Sequence, residues 1–130
     1  MSIEMIDMMR GYEFWLEGCG RMSANVCKLL RMAGQPVTLA TVLGVVQSLP
    51  RQRADLTSAE WRQSSYCCKC LQKAEPKAVT EIEAKRFGLL AEYFLGYFPQ
   101  RTTLAQETMI DSFVGILRAM ELDPPTSGSE

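Results

Sequence analysis

Apolar residues recur along most of the chain at intervals of three and four positions, which is the period of a helix with one buried face. One stripe of this kind is formed by Met5, Met9, Tyr12 and Leu16. Another is formed by Leu39, Val42, Leu43, Val46 and Leu49. Because the β-branched stretch 37–46 follows this period and does not alternate, strands are poorly supported. The pattern predicts an all-α protein.

Prolines divide the helical pattern into segments, because proline in a helix interior removes a hydrogen bond and clashes with the preceding turn. They are Pro36, Pro50, Pro76, Pro99, Pro124 and Pro125. Capping boxes of the form S/T-x-x-E/Q begin at Thr57, Thr80 and Thr103, 23 residues apart. They predict three final helices of similar length. Short turns between them would make these helices antiparallel neighbours.

The first third of the chain gives similar signals. Ser2 can cap a helix, and Gly18–Cys19–Gly20 should kink or break it, since glycine is unfavourable in a helix interior. A further helix is expected over 23–33, with Gly34 as its stop, and a short one from Thr38 to about Leu49. The whole pattern predicts a compact bundle of five to six helices.

Composition agrees with one folded domain. The 130 residues are 47% apolar and 22% charged, both near the globular average. We expect a single helical domain over 1–123 and a flexible polar tail over 124–130.

No run of 18 apolar residues occurs, so no membrane association is expected. The odd number of cysteines, five, favours reduced thiols over a disulfide framework, and with an acidic N-terminus it predicts a cytoplasmic protein.

The residue types and motifs of the sequence offer little support for a catalytic site. The chain contains no histidine, which excludes Ser-His and Cys-His nucleophile pairs and zinc sites with histidine ligands. Gly18–Cys19–Gly20 lacks the further glycine and the lysine of a phosphate-binding loop. Glu81 and Glu83 are two residues apart on a predicted helix and therefore face different directions. We expect neither an enzyme nor a bound cofactor.

Three cysteines are crowded together at Cys67, Cys68 and Cys70, and Cys67 and Cys70 have the C-x-x-C spacing of a metal site or dithiol pair. Only Cys19 and Cys27 could complete a four-thiolate site, and the pattern places the cluster in the middle of a helix. We therefore predict buried structural thiols and no metal site. A metal ion at Cys67 and Cys70, and thiol reactivity, remain the alternatives.

Charge is distributed unevenly. Residues 51–86 contain eight basic and five acidic side chains, whereas residues 87–130 contain two basic and six acidic ones. The basic side chains after Pro50 that could contact nucleic acid are Arg51, Arg53, Arg62, Lys69 and Lys73. One hypothesis is a helix-turn-helix over residues 38–75, with the helix after Thr57 in a major groove. The region lacks the tight glycine turn of that motif, so a basic face that steers an acidic protein partner is the favoured interpretation.

Large apolar side chains exceed what one core face needs. The predicted helix over 81–98 has two apolar stripes, one of which contains Tyr93 and Tyr97. We predict partner contacts at Met8, Trp15, Tyr93 and Tyr97, with core positions as the alternative.

The function expected is a small regulatory or inhibitory protein-interaction module that docks a helical surface on another protein and also forms a homodimer. The alternative is a DNA-binding transcription regulator.

Overall fold

The computed structural model describes residues 20–122, with side chains described up to residue 119. This range contains six α-helices and no strand. They are α1 (Arg21–Met32), α2 (Leu39–Gln47), α3 (Ala59–Ser64), α4 (Tyr66–Ala74), α5 (Glu81–Ala91) and α6 (Thr103–Leu122). The predicted all-α bundle is confirmed. The helix expected from Ser2 and the tail 124–130 lie outside the described residues.

Shorter helical segments connect these elements. Turns of 3-10 helix occur at Arg53–Thr57, Glu75–Lys77 and Phe98–Gln100. A π-helix over Glu92–Tyr97 continues α5. Because a π-turn holds more residues than an α-turn, it changes which side chains face the core. Tyr93 and Phe94 are both buried as a result, although they belong to the two different stripes of the sequence pattern.

The end of α1 forms a Schellman motif at the predicted stop. Gly34 has a φ of 72°, and its N–H donates to the carbonyl of Arg31 at 3.1 Å. The N–H of Gln35 donates to the carbonyl of Leu30 at 2.9 Å. A side chain at position 34 would meet Lys77, whose Nζ lies 2.5 Å from where a Cβ would stand. The chain therefore turns here in a conformation that strongly favours glycine.

The start of α2 is also as predicted. The N–H of Thr41 donates to the hydroxyl of Thr38 at 3.2 Å, and the N–H of Thr38 donates to the hydroxyl of Thr41 at 2.9 Å. Val37 and Val42, which flank this cap in the positions of a hydrophobic staple, are both buried. The reciprocal bonds and the staple together fix where the helix begins.

Of the three predicted capping boxes, only that of Thr80 and Glu83 forms. The caps of the other two helices lie one residue away from Thr57 and Thr103, so those two predictions are wrong. The hydroxyl of Ser58 accepts from the N–H of Trp61, and α3 begins there. The hydroxyl of Thr102 accepts from the N–H of Ala105 at the start of α6.

The predicted continuous helix after Thr57 is wrong, because Ser65 divides it into α3 and α4. Ser65 has extended backbone, with a ψ of 122°. Its hydroxyl donates to the carbonyl of Ser48 at 2.8 Å and accepts from the N–H of Cys68 at 3.0 Å. The first of the three final helices is therefore not one element of the same length as the other two.

Helix α1 lies at the centre of the described bundle and contacts α2, α4, α5 and α6. The largest fully buried side chains include Leu29 and Leu30 of α1, Phe94 and Phe98 after α5, and Leu117 of α6. The two apolar stripes predicted for α5 suggest a helix that is buried on two sides. In the structure, one side of α5 instead carries exposed large apolar side chains, those of Ile82 and Leu89.

Candidate partner-binding surface

Two large apolar side chains are exposed on one line along α5. Ile82 is 64% exposed and Leu89 is 73% exposed. Because seven residues make almost two full helical turns, they lie on the same side of the helix, about 10 Å apart along its axis. Val79, just before the helix, is exposed as well. We call Val79, Ile82 and Leu89 the α5 stripe.

Basic side chains flank the α5 stripe. Lys85 lies three residues after Ile82 and Arg86 lies four residues after it, so they border the stripe on opposite sides. Both are exposed. An open groove of about 430 Å³ runs beside the stripe, between α1 and α5. It is lined by Asn25, Lys28, Arg31, Met32, Arg86, Leu89 and Leu90. Among the described residues of this lining, Lys28, Arg31 and Arg86 are basic and none is acidic, so the described part of the groove is suited to an acidic occupant with apolar side chains.

Of the four side chains predicted to contact a partner, two belong to the described residues. Tyr93 is 2% exposed and belongs to the buried core, so little of its side chain is open to a partner, and its predicted partner contact stays a prediction. It is buried because the π-helix turns its ring inward. Tyr97 is half-buried beside it. Met8 and Trp15 lie outside the described residues.

Tyr93 and Tyr97 form a stack covered by two arginines. Their ring centroids are 5.6 Å apart and their planes differ by 19°. The guanidinium carbon of Arg21 lies 5.1 Å from the Tyr93 centroid and 4.9 Å from the Tyr97 centroid. That of Arg101 lies 4.5 Å from the Tyr97 centroid. These are cation–π distances, so the tyrosine faces hold both guanidiniums in place.

An apolar cavity of about 340 Å³ adjoins this stack, between α1, the π-helix and α6. The side chains that line it include Met22, Tyr93, Tyr97, Met109, Phe113 and Ile116. The hydroxyl of Tyr93 is buried without a hydrogen-bond partner. Burial raises the pKa of this hydroxyl to about 12, although the Arg21 guanidinium opposes the shift. A buried hydroxyl without a hydrogen-bond partner is costly, because it has lost its bonds to water and gained none in exchange.

The structure does not bring the five predicted nucleic-acid contacts together on one reading helix. The Nε of Arg51 donates to Gln106, and the Nε of Arg62 donates to the carbonyl of Leu56, so both stabilise the fold. Arg53 is exposed in a 3-10 turn, and Lys69 and Lys73 are exposed on α4. The helix expected to enter a major groove is the six-residue α3, which is only about 9 Å long.

The cysteine cluster occupies the first turns of α4, so the prediction that it lies mid-helix is wrong. Cys67, Cys68 and Cys70 are buried. Burial raises the pKa of the Cys67 thiol well above its ordinary value, and it also raises those of Cys68 and Cys70. Between residues 20 and 122, no three cysteine, aspartate, glutamate or histidine side chains come together as metal ligands. Burial therefore keeps these thiols protonated despite their place near a helix N-terminus.

The α5 stripe was not predicted from the sequence, although its signal is present. Leu89 belongs to the predicted apolar stripe of Tyr93 and Tyr97 and Ile82 belongs to neither stripe, but the two residues are separated by a heptad. No family model, curated protein or solved structure matches this chain. None of the helices between residues 20 and 122 has the length and hydropathy that a membrane span requires.

Proposed function

We propose that this chain is a protein-interaction module, regulatory or inhibitory, that binds an acidic amphipathic helix of a partner protein. The binding surface is the α5 stripe together with the groove between α1 and α5. One observation carries the proposal: Ile82 and Leu89 are exposed on one line between Lys85 and Arg86. The proposed activity is binding without catalysis.

The apolar part of this surface supplies affinity. Full burial of a leucine or isoleucine side chain contributes about 1.5–3 kcal/mol relative to leaving it exposed. Two such side chains one heptad apart match the spacing at which a second helix presents its own apolar residues. Half-buried Met32 extends the apolar part into the groove, where a partner could contact it.

The basic part supplies selectivity. Lys28, Lys85 and Arg86 would repel a basic partner and attract an acidic one. For the same reason the homodimer expected from the sequence is disfavoured at this face. A two-fold interface places a patch against its own copy, and here that would bring like charges together. We therefore assign the face to a different, acidic protein.

Two designed helical peptides test the proposal. Each carries leucines at alternating three- and four-residue intervals, and one has glutamates on its flanks where the other has lysines. At low salt the glutamate peptide should bind at least about tenfold more tightly. The difference should shrink as salt is added, because exposed charges are screened. Equal affinity for the two peptides, or no binding of either, contradicts the proposal.

Variants locate the binding surface. Leu89→Asp and Ile82→Asp should abolish peptide binding, since each places a charge in the apolar contact. Leu104→Asp is the matched control, because Leu104 is equally exposed but lies on α6.

Binding to random duplex DNA tests the alternative function. Three results together would favour the transcription-regulator alternative. Duplex binding would fall steeply with added salt, it would be lost in Arg53→Glu and Lys69→Glu, and it would be retained in Leu89→Asp.

We also propose that the protein works in a reducing compartment, the cytoplasm. Cys67 and Cys70 are buried as free thiols in the core, and oxidation would place bulkier groups there. Cell fractionation with the tagged chain tests this location.

A further inference from the structure

A second groove, of about 390 Å³, lies between α3, α4 and the side of α5 that faces away from the α5 stripe. Its described apolar lining consists of Leu56, Trp61, Leu71, Phe87, Ala91 and Leu95. Its described polar lining consists of Arg62, Cys68, Gln72 and Glu75. Phe87 and Ala91 are each two residues from Leu89, and two residues turn a helix by about 200°, so this surface is nearly opposite the α5 stripe. We call it the α4 groove.

The α4 groove is an apolar channel about two helical turns long. Cys68, Leu71 and Glu75 follow one another along it at intervals of three and four residues, which places them on one face of α4 and its continuation. Seven residues of helix rise by about 10 Å. Trp61 forms part of the wall and is half-buried, and its indole N–H donates to the carbonyl of Ser48 at 3.0 Å. The groove is therefore formed before anything binds, and its wall is partly open to solvent.

The two ends of the α4 groove carry opposite charges. Burial raises the pKa of the Cys68 thiol and the Arg62 guanidinium opposes the shift, so Arg62 stands at the Cys68 end. The Nε of Arg62 donates to the carbonyl of Leu56 at 2.9 Å, which holds the guanidinium in place. Glu75 is exposed at the other end. Within residues 20–119, neither the terminal amino groups of Arg62 nor the carboxylate of Glu75 has an ion-pair partner, so both charges are available to an occupant.

We propose that the α4 groove binds an apolar helical segment of a second partner protein, which carries an acidic side chain at the Arg62 end and a basic side chain at the Glu75 end. The two charges of this segment would be about seven residues apart, because the ends of the groove are separated by two helical turns. Apolar side chains between them would insert against Trp61 and Phe87.

The charges at the two ends select this occupant over others. A segment with only acidic or only basic side chains would be repelled at one end of the groove. A fatty acid would place its carboxylate on Arg62, but its apolar tail would then lie beside the charged Glu75. A segment with one charge of each sign satisfies both ends. Because the α4 groove and the α5 stripe lie on opposite sides of α5, the inference is independent of the function proposed above, and the chain would bridge two partner proteins.

Three helical peptides without aromatic residues test the charge pattern. They share the same leucines and carry, seven residues apart, lysine and glutamate, two glutamates, or two lysines. Fluorescence of Trp61 reports binding in the α4 groove, in a Trp15→Phe background because the chain has two tryptophans. The mixed peptide should bind at least about threefold more tightly than either of the others. Glu75→Lys should transfer this preference to the two-glutamate peptide, whereas Glu107→Lys, at an exposed position of α6, should not.

Filling the groove is the second test. Ala91→Phe places a ring where the partner side chains would insert and should weaken binding of the mixed peptide at least about tenfold. Ala84→Phe is the matched control, because Ala84 lies one heptad earlier on α5 and is exposed. Leu89→Asp should leave the affinity unchanged, which separates this result from the test of the α5 stripe. Circular dichroism shows whether each variant remains folded.

Three results would overturn the proposal. They are equal affinity for the three peptides, no change in Trp61 fluorescence with any of them, and tighter binding of dodecanoate than of the mixed peptide. The last result would assign the α4 groove to a lipid. None of them bears on peptide binding at the α5 stripe, which Leu89→Asp removes and Ala91→Phe should retain.

Discussion

Arg51 and Gln106 bond to each other in both directions across 55 residues of sequence. The Nε of Arg51 donates to the Oε1 of Gln106 at 3.1 Å, and the Nε2 of Gln106 donates to the carbonyl of Arg51 at 2.9 Å. The same Nε2 also lies 3.1 Å from the carbonyl of Phe98. Gln106 is 3% exposed, so one buried amide ties the loop after Pro50 to the junction before α6.

Replacement of this amide should be among the most damaging substitutions of a polar residue. Gln106→Leu keeps the approximate side-chain volume but leaves the carbonyl and the Nε of Arg51 without this partner, whereas the carbonyl of Phe98 still accepts from the N–H of Arg101. We expect a loss of about 1–3 kcal/mol in the free energy of unfolding, because an unpaired buried polar group costs about that much. Urea denaturation measures it. Gln100→Leu, at an exposed position, is the control and should change stability little; an equal loss in both would contradict the role assigned to Gln106.

Two glycines should respond to alanine in opposite directions. Gly34→Ala places a side chain at a φ of 72° and against Lys77, so it should destabilise by about 1–2 kcal/mol or more. Gly88 lies inside α5, and a Cβ there would meet nothing within 4 Å. Gly88→Ala should therefore stabilise by about 0.5–1 kcal/mol through helix propensity. Thermal unfolding of the two variants gives the comparison, and a stabilised Gly34→Ala would be inconsistent with the Schellman motif.

Neighbouring hydroxyls distinguish the observed caps from the caps expected from sequence. Ser58→Ala and Thr102→Ala should each lower the free energy of unfolding by about 1 kcal/mol, because each removes the acceptor for a first-turn N–H. Thr57→Ala and Thr103→Ala should each cost less than about 0.5 kcal/mol. Chemical denaturation of the four variants decides between the two assignments. A larger effect at Thr57 and Thr103 would restore the sequence-based positions.

Alkaline pH should destabilise the fold through Tyr93. Burial raises the pKa of its hydroxyl from 10.0 to about 12, so the unfolded chain ionises first as pH rises. The stabilising contribution is complete below pH 10 and is lost as pH rises from about 10 to about 12. Thermal unfolding across this range should show Tm falling less steeply in Tyr93→Phe than in the unaltered chain. Parallel curves for the two proteins would show that Tyr93 does not have this raised pKa.

The sequence by itself determined the helical class, the stop of α1 at Gly34 and the start of α2 at Thr38. These features depend on apolar period, on backbone conformations open mainly to glycine, and on bonds between residues three apart. All of that information is local, and so it can be read from a short stretch of sequence. The Thr80 cap was predictable for the same reason.

Tertiary contacts decided the rest. Ser65 ends a helix that local preference would continue, because Ser48, 17 residues earlier, offers its hydroxyl a carbonyl. Gln106 is drawn away from a local cap by carbonyls of Arg51 and Phe98. The π-helix turns Tyr93 inward, while Leu89 stays exposed because no described helix covers it. Such choices depend on which distant groups approach in space, and the order of residues along the chain does not specify that directly.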